Sequence, residues 1–367
     1  MDWLAVSLVG RWMIGWPLSL WLPVLPAADG DGATANDDYS ASVSVLIPAR
    51  NEAATLPKLL QALAAQTLRP QEVIVIDDHS SDATAAIGRT AGVRVLQPPP
   101  LPRGWCGKTW ALHQGVQACS GERLVFLDAD TEPAPDFLAS LLAALRTYGG
   151  LVSVQPYHRT ERPYEQLSML FNLVGLMAVP LGPGGGVAFG PAMATSRADY
   201  LRIGGHAAVA DKVVEDWFLA HLYQRADLPV SAWIGMGRIA YRMYPGGIAD
   251  LVSGFNKNFA TAAGEVRWPW MLGVLLWLSG LFWAAWCLPA SLLGWPMIGD
   301  PALLPNLVLY AAFAIQLLVI TRRVGRFSWI NLVFPIPVLF FLGVFLLAIL
   351  NLERGQVRWK GRSVPTR

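Results

Sequence analysis

Two carboxylates one residue apart, Asp128 and Asp130, close the run Arg123-Leu-Val-Phe-Leu-Asp-Ala-Asp130. The apolar stretch before them reads as a buried parallel strand. Side chains alternate along a strand, so residues i and i+2 face the same way and the two carboxylates start out together at its carboxyl end. Open α/β sheets bind ligands at that edge. Two carboxylates so close repel, and a divalent cation relieves the repulsion. Mg²⁺ sits on one or two carboxylates plus substrate phosphates. The spacing therefore points to a metal-bound phosphorylated substrate such as a nucleotide. It leaves open an Asp-rich turn over Asp130-Thr-Glu-Pro133 instead.

Other segments must lead to the same edge. Val43-Ser-Val-Leu-Ile47 reads as a strand ending in Pro48-Ala-Arg-Asn-Glu52, and Glu72-Val-Ile-Val-Ile76 as one ending in Asp77-Asp78. Ser80 or Ser81 suits the cap of the following helix. Val93-Arg-Val-Leu96 is a third short strand, and Gly104-Trp-Cys-Gly-Lys108 opens a helix running to about Cys119. Strand and helix alternate, which predicts an α/β fold with a mainly parallel sheet covered on both faces. That sheet gathers Arg50, Asn51, Glu52, Asp77, Asp78, Lys108, Asp128 and Asp130 along one edge. Gly104 to Thr109 is too short for a phosphate loop, which excludes that class of nucleotide hydrolase. Lys108 at a helix start still suits a diphosphate. His206, in Gly204-Gly-His206, is a candidate for the metal or the diphosphate, with a purely structural histidine as its alternative. Glu215-Asp216 precede a helical pattern, a place acidic residues also favour through the helix dipole.

Composition sets the surroundings. The chain is 54% hydrophobic and 15% charged, against about 25% charged in ordinary soluble domains. The excess apolar residues lie at the N-terminal tip and after about residue 268. Trp3 to Pro26 reads as an anchor, with a signal peptide as its alternative. Trp268–Trp295, Leu303–Ile320 and Trp329–Leu350 each approach the roughly 20 residues that cross about 30 Å of hydrocarbon. The basic connection Thr321-Arg-Arg-Val-Gly-Arg326 predicts a cytoplasmic loop, placing the middle domain in the cytoplasm at a multi-pass cell membrane. Pro335 and Pro337 are expected to interrupt the last span. The expected organisation is an anchor at 1–26, a linker at 27–42, a catalytic domain at 43–265, membrane helices at 266–350 and a basic tail at 351–367. The net charge of +2 offers nothing to nucleic acid. Cys106, Cys119 and Cys287 form neither a disulfide framework nor a zinc site. Glu165 to Val179 is too apolar for an exposed helix and too short to span, so it is interfacial or core. Gly182-Pro-Gly-Gly-Gly186 is a flap or an ordinary turn.

Together Ile47-Pro-Ala-Arg-Asn-Glu52, Asp77-Asp78 with Ser80-Ser-Asp82, Asp128-Ala-Asp130 and Glu215-Asp216 resemble the family 2 glycosyltransferases of the GT-A fold. Ser153-Val-Gln-Pro-Tyr-His158, Ala188-Phe-Gly-Pro191, Gly204-Gly-His206, Tyr241-Arg-Met-Tyr244 and Trp359-Lys-Gly361 narrow the likeness to the bacterial carotenoid glycosyltransferases, across nearly the whole chain. The resemblance implies a GT-A domain with transmembrane helices at both ends. It also implies a UDP- or GDP-sugar donor held by Pro48, Ala49, Arg50, Glu52, Asp77, Asp78, Lys108 and Asp128. Mg²⁺ or Mn²⁺ would sit on Asp130 and Asp128, and Asp216, with Glu215 beside it, would be the base of an inverting transfer. A carotenoid is the implied acceptor; a hopanoid, a polyprenyl phosphate, a sphingolipid-like lipid, or a non-catalytic sugar-nucleotide binder are the alternatives. Polymerising members carry an Arg-Trp pair after the base. Gly254-Phe-Asn-Lys-Asn-Phe-Ala-Thr261 keeps Lys257 but lacks that pair, which implies transfer of one sugar.

Overall fold

The computed structural model describes residues 3–20, 22–28, 42–262, 268–295, 303–354, 356–359 and 362–365. Helix α1 (Trp3–Leu20) is followed by β1 (Val43–Ala49), α2 (Leu56–Ala64), β2 (Glu72–Asp77), α3 (Thr84–Thr90) and β3 (Arg94–Leu96). Then come α4 (Gly107–Ala118), β4 (Arg123–Leu127), β5 (Thr131–Pro133), α5 (Phe137–Tyr148), β6 (Leu151–Gln155) and β7 (Tyr157–His158). Next are α6 (Met169–Met177), β8 (Gly182–Pro183), β9 (Ala192–Ser196), α7 (Arg197–Arg202), α8 (Glu215–Arg225), β10 (Val230–Ile234) and β11 (Ile239–Tyr241). Helices α9 (Ile248–Ala262), α10 (Trp268–Leu292), α11 (Leu303–Val324) and α12 (Pro335–Arg354) precede a hairpin of β12 (Gln356–Trp359) and β13 (Arg362–Pro365). Two compact units result. An α/β unit holds Pro23–Tyr157 and Leu181–Arg242, and a helical unit holds Met1–Leu22, His158–Pro180 and Met243–Arg367.

In the α/β unit the sheet order is β3-β2-β1-β4-β9-β6-β10-β8. The β1–β2, β1–β4, β2–β3 and β6–β10 pairs are parallel, while β9 runs antiparallel between β4 and β6. Strand alternation separates two cores. Val43, Val45 and Ile47 pack with Leu56 and Leu59 of α2 and with Phe137 and Leu141 of α5. Leu46, Ile74, Ile76 and Phe126 face the other way, onto Leu112 and Val116 of α4 and Leu219 and Tyr223 of α8. Register aligns the strand ends: Ala49 lies opposite Asp77, and Leu46 opposite Phe126. The loops after β1, β2 and β4 therefore open on one edge, as the sequence predicts.

Several expectations are corrected at the ends. The stretch Trp3–Pro26 is not one helix. α1 stops at Leu20, and an extended segment follows in which Ile234 N–H donates to Pro23 O at 2.8 Å and Leu25 N–H to Ile234 O at 3.0 Å. Pro23 and Pro26 cannot continue a helix. Among the described residues two helices, α10 and α11, are long and apolar enough to cross a membrane; α1 is not among them. The third expected span starts late, because Trp329–Asn331 is a short 3₁₀ turn and α12 begins at Pro335. Pro335 and Pro337 thus start this helix, where a missing N–H costs nothing, and do not break it. Residues 29–41 of the expected linker lie outside the described residues.

The helical unit is tied together by buried polar groups. Gln316 is fully buried, receives the Trp277 indole N–H at 2.8 Å and donates to Trp12 O at 2.8 Å, while Trp12 donates to Ala312 O at 3.1 Å. These bonds join α1, α10 and α11. The choice left open for Glu165–Val179 is resolved as core: Met169, Leu170, Leu173 and Met177 of α6 are buried, and Phe171 stacks on Phe255 of α9 with centroids 4.2 Å apart. In the α/β unit Gly182–Gly186 is a hydrogen-bonded turn at the sheet edge, with Gly184 N–H bound to Val230 O at 3.1 Å.

Candidate active site

Two groups of residues occupy the carboxyl edge of the sheet. The first lies between the loops after β1 and β2. Arg50 Nη1 contacts Asp78 Oδ2 at 3.3 Å and donates to Asp78 O at 3.2 Å. Asn51 N–H donates to Ser80 Oγ at 2.9 Å, and Ser81 N–H returns a bond to Asn51 Oδ1 at 2.8 Å. Glu52 N–H donates to Thr84 Oγ1 at 2.8 Å, and Ala53 N–H to Asp82 Oδ2 at 3.1 Å. Asn51 and His79 take left-handed backbone angles, φ 56° and 53°. Asn is among the residues that tolerate that region. Pro48 and Ala49 end β1 opposite Ile76 and Asp77. Asp77 and Asp78 are buried, and Asp77 Oδ1 accepts from Ser80 N–H at 3.4 Å. The side chain of Glu52 accepts the Thr55 hydroxyl at 2.8 Å.

The second group centres on Lys108. Its Nζ lies 2.8 Å from Asp128 Oδ1, 2.9 Å from Glu215 Oε1 and 3.5 Å from Gly190 O. Lys108 sits in the first turn of α4, which is moored by Cys106 N–H to Ala210 O at 2.7 Å and by Thr109 Oγ1 to Ala210 O at 2.8 Å. The other side of the cluster is the start of α8. Asp216 Oδ2 accepts from Gly190 N–H at 2.6 Å and Oδ1 from Trp217 N–H at 2.9 Å. Burial, and then the charge of Glu215, push the Asp216 carboxyl up to about 6. Burial works to raise Glu215 as well, but Lys108 outweighs it and holds that carboxyl below its usual range. Lys108 itself is raised: the attraction of Asp128 and Glu215 overcomes its desolvation. Two adjacent carboxylates are thus driven apart in acidity.

β4 ends at Leu127, so Asp128 and Asp130 lie in the turn that follows and not on the strand itself. Asp128 N–H donates to Pro191 O at 2.9 Å, and Thr131 Oγ1 donates to Asp128 O at 2.8 Å. Both carboxylates remain partly exposed. His206 is placed differently. It is fully buried, its Nδ1 lies 2.7 Å from the Tyr200 hydroxyl, and its ring meets Phe126 edge-on at 5.3 Å. Burial drops its pKa to about 3.

One participant escapes sequence reasoning. A side chain at Gly190 would place Cβ 3.0 Å from Lys108 Nζ, 3.2 Å from Asp216 Oδ2 and 3.4 Å from Glu215 Oε1. The first two distances are tighter than ordinary contact, so the absence of a side chain at Gly190 gives the Lys108 and Asp216 ends the room they occupy. The available signal is the motif Ala188-Phe-Gly-Pro191, which carries the family resemblance but gives Gly190 no role of its own. The side chain of Lys257 lies outside the described residues, as do Lys360 and Gly361 of the tail motif.

Comparison with known proteins supplies a family for this geometry. The model of "Glycosyl transferase family 2" matches residues 44–194. The 4,4'-diaponeurosporenoate glycosyltransferase of Staphylococcus haemolyticus is 35% identical over 342 residues, 89% of each chain. That of Staphylococcus aureus (strain USA300) is 34% identical over 345 residues, 90% of each. Among solved structures, a mannosyltransferase from Pyrobaculum calidifontis in complex with GDP-Man and Mn²⁺ aligns over 95% of this chain and 98% of its own. Its TM-score is 0.54 at 18% identity, a likeness of fold.

Proposed function

The chain belongs to glycosyl transferase family 2 and is a glycosyltransferase; we propose that it moves one sugar from a UDP- or GDP-sugar, with inversion, to a carotenoid hydroxyl or carboxyl at a cell membrane. The observation that carries this reading is the Lys108 cluster, which joins the turn after β4 to the start of α8 through contacts of 2.8 and 2.9 Å. A donor-binding edge and a candidate base thereby share one counter-ion.

In this reading the loops after β1 and β2, with Asp77 and Asp78, hold the base and ribose of the donor. Asp216 is the general base. Its carboxylate takes the proton of an acceptor hydroxyl, or of a carboxyl kept un-ionised by its apolar surroundings, as the acceptor oxygen attacks the anomeric carbon from the face opposite the diphosphate. One base suffices, because the leaving group is already activated. Gly190 and Trp217 aim the Asp216 oxygens through their N–H groups. Lys108 gives the departing diphosphate a positive partner. Asp130 and Asp128 offer hard oxygen donors, both partly exposed in one turn. No set of three His, Cys, Asp or Glu gathers among the described residues, so the protein offers a divalent cation two carboxylates, with phosphate and water left to complete the shell. When bound, Mg²⁺ or Mn²⁺ stabilises negative charge on the diphosphate as a Lewis acid.

The acceptor class is supported by the named activity of the staphylococcal relatives and by α10 and α11, which are long and apolar enough to cross a membrane. The basic loop at Arg322, Arg323 and Arg326 favours a cytoplasmic active site. Polar carotenoids compared by mass between a strain lacking the protein and its parent test the proposal. Loss of a hexose- or deoxyhexose-bearing carotenoid is expected. An unchanged carotenoid profile with a missing glycolipid would transfer the reading to another lipid acceptor.

A further inference from the structure

The hydrogen bond from Gly190 N–H to Asp216 Oδ2, at 2.6 Å, also fixes two aromatic residues beside the candidate base. Phe189 precedes the donor of that bond, and Trp217 follows its acceptor. Helix α8 turns by about 100° per residue. Leu219, Ala220 and Tyr223 face the sheet core, so Trp217, His221 and Gln224 share the next face round. The segment 186–190 runs along that face. At one end a Cβ at Gly186 would overlap the Gln224 amide, and at the other Gly190 meets Asp216. Within the segment Ala188 joins the core, whereas Phe189, whose N–H donates to Ser153 Oγ at 3.2 Å, does not. Phe189 and Trp217 are both half-buried. His221 braces Trp217: its Nδ1–H donates to Trp217 O at 2.9 Å, since a carbonyl only accepts, and the two rings lie 5.2 Å apart. The indole N–H of Trp217 is buried, so what the ring leaves open is carbon.

We propose that Phe189 and Trp217 determine acceptor specificity by forming an apolar mouth around Asp216, against which the acceptor's hydrocarbon lies next to its reacting oxygen. One half-exposed aromatic needs no explanation. Two of them, one on each partner of the bond that aims the base, set hydrocarbon beside a carboxylate and favour an acceptor of the same apolar character. They also act on a competition. In transfer, the bond from the acceptor oxygen to the anomeric carbon forms. The bond from that carbon to the diphosphate breaks, its electron pair leaves on the nucleoside diphosphate, and the acceptor proton passes to Asp216. Water can take the acceptor's place in each of these steps and yield free sugar. Aromatic rings that shed water from the mouth hold that side reaction back until an apolar acceptor fills it. The acceptor is thus selected by burial of its own apolar surface, and its arrival completes the exclusion of water.

This inference rests on the reading of Asp216 and of a lipophilic acceptor given above, and its failure is separable from theirs. Membranes holding the full chain are supplied with UDP-glucose or GDP-mannose, whichever the unaltered protein turns over, and with carotenoid extracted from a strain lacking the protein. Glycosylated carotenoid and free sugar are both counted. Phe189→Ala and Trp217→Ala are each expected to raise the acceptor KM about fivefold to tenfold, the effect of losing part of one buried ring, with the donor KM within about twofold. Free sugar per transfer is expected to rise at least about threefold as water gains access. Phe189→Leu and Trp217→Phe are expected to recover most of both. An unchanged acceptor KM with an unchanged share of free sugar overturns the proposal, and so does a change confined to the donor KM. Should an Ala variant fail to accumulate, Phe189→Gln and Trp217→Gln keep the bulk and bring polarity. They carry the same expectation, and unaltered transfer by both overturns the proposal. If the unaltered protein transferred nothing to carotenoid, the acceptor reading would fall alone. Donor hydrolysis without acceptor then still reads the mouth, supporting it by a rise in the Ala variants and overturning it by staying level. Full transfer by Asp216→Asn would instead sink the assignment of the base and leave the acceptor KM of the variants as the measure of the two rings.

Discussion

The two groups at the sheet edge are built on opposite principles. Between the loops after β1 and β2, main-chain N–H groups meet side-chain oxygens, Asn51 to Ser80, Glu52 to Thr84 and Ala53 to Asp82, beside one ion pair, Arg50 with Asp78, in which each charge has its own partner. Around Lys108, one ammonium meets the carboxylates of Asp128 and Glu215 directly, and a third, Asp216, is held by two N–H groups. The first arrangement is complete before any ligand arrives. The second carries three acidic groups for one cation and is balanced only when a further charge or proton is shared. A scaffold that holds a nucleotide gains from the first. A centre that must take a proton and release a diphosphate needs the second.

The largest expected effect breaks the charged group at its base. Asp216→Asn keeps the shape but leaves one oxygen to accept from Gly190 or Trp217 N–H, and it cannot take a proton, so transfer is expected to fall about a hundredfold to ten-thousandfold. Binding of the nucleotide, measured by calorimetry, should stay within about threefold, because the loops after β1 and β2 are untouched. Lys108→Met comes next. It removes the shared cation from two carboxylates, one of them buried, and is expected to cost roughly a hundredfold in kcat/KM, with a donor KM that rises in step. A Lys108→Met variant that binds donor normally and loses only kcat would place the lysine with the base and not with the diphosphate.

Gly190→Ala sharpens the comparison by geometry alone. Its Cβ would stand 3.0 Å from the Lys108 ammonium and 3.2 Å from Asp216 Oδ2. The ends of the Lys108 and Asp216 side chains must give by a few tenths of an ångström, which disturbs the 2.6 Å bond from Gly190 N–H to Asp216. About a tenfold loss in kcat is expected, the loss of one hydrogen bond to a charged group, with little change in thermal stability.

These differences also explain what the sequence disclosed. Strand ends were legible because alternation and apolar runs are local: β1, β2 and β4 lie where Val43–Ile47, Glu72–Ile76 and Leu124–Leu127 placed them, and the sheet is the GT-A type that the motifs implied. Residue types at those ends were legible for the same reason. The contacts across the site were not. Lys108, Asp128 and Glu215 are far apart in the chain, and only the packing of α4 and α8 on one face of the sheet makes them neighbours. Gly190 was hidden because its role depends on the absence of a side chain. His206 was read by residue type as a metal or diphosphate candidate. Its burial beneath Tyr200 and Phe126 is a tertiary fact. At the N-terminus the apolar stretch Trp3–Pro26 divides into α1 and an extended segment, since Pro23 and Pro26 cannot continue a helix.

The pH dependence tests whether the charged group is balanced as described. Asp216 must be ionised to act as base, and it sits at about 6 because it is buried and because Glu215 adds a negative neighbour. Transfer should therefore fall as pH drops through about 6, with one proton taken up. Glu215→Gln removes the second of those causes and leaves the first, so the acid limb should move to lower pH while the maximal rate declines. Movement to higher pH would mean that Glu215 had been stabilising the Asp216 anion, which an adjacent negative charge cannot do.

The smallest effect belongs to the group between the loops after β1 and β2. Ser80→Ala deletes the acceptor of the Asn51 N–H, an exposed neutral bond of 2.9 Å. About 0.5–1.5 kcal/mol is at stake, and the remaining bonds to Thr84 and Asp82 share the task of holding the loop. The expected result is a two- to tenfold rise in donor KM, with kcat and its pH profile unchanged. If Ser80→Ala moved the acid limb, the two groups would be electrostatically one site. A change confined to KM means that the nucleotide scaffold and the proton-handling cluster are separable, although they share one sheet edge.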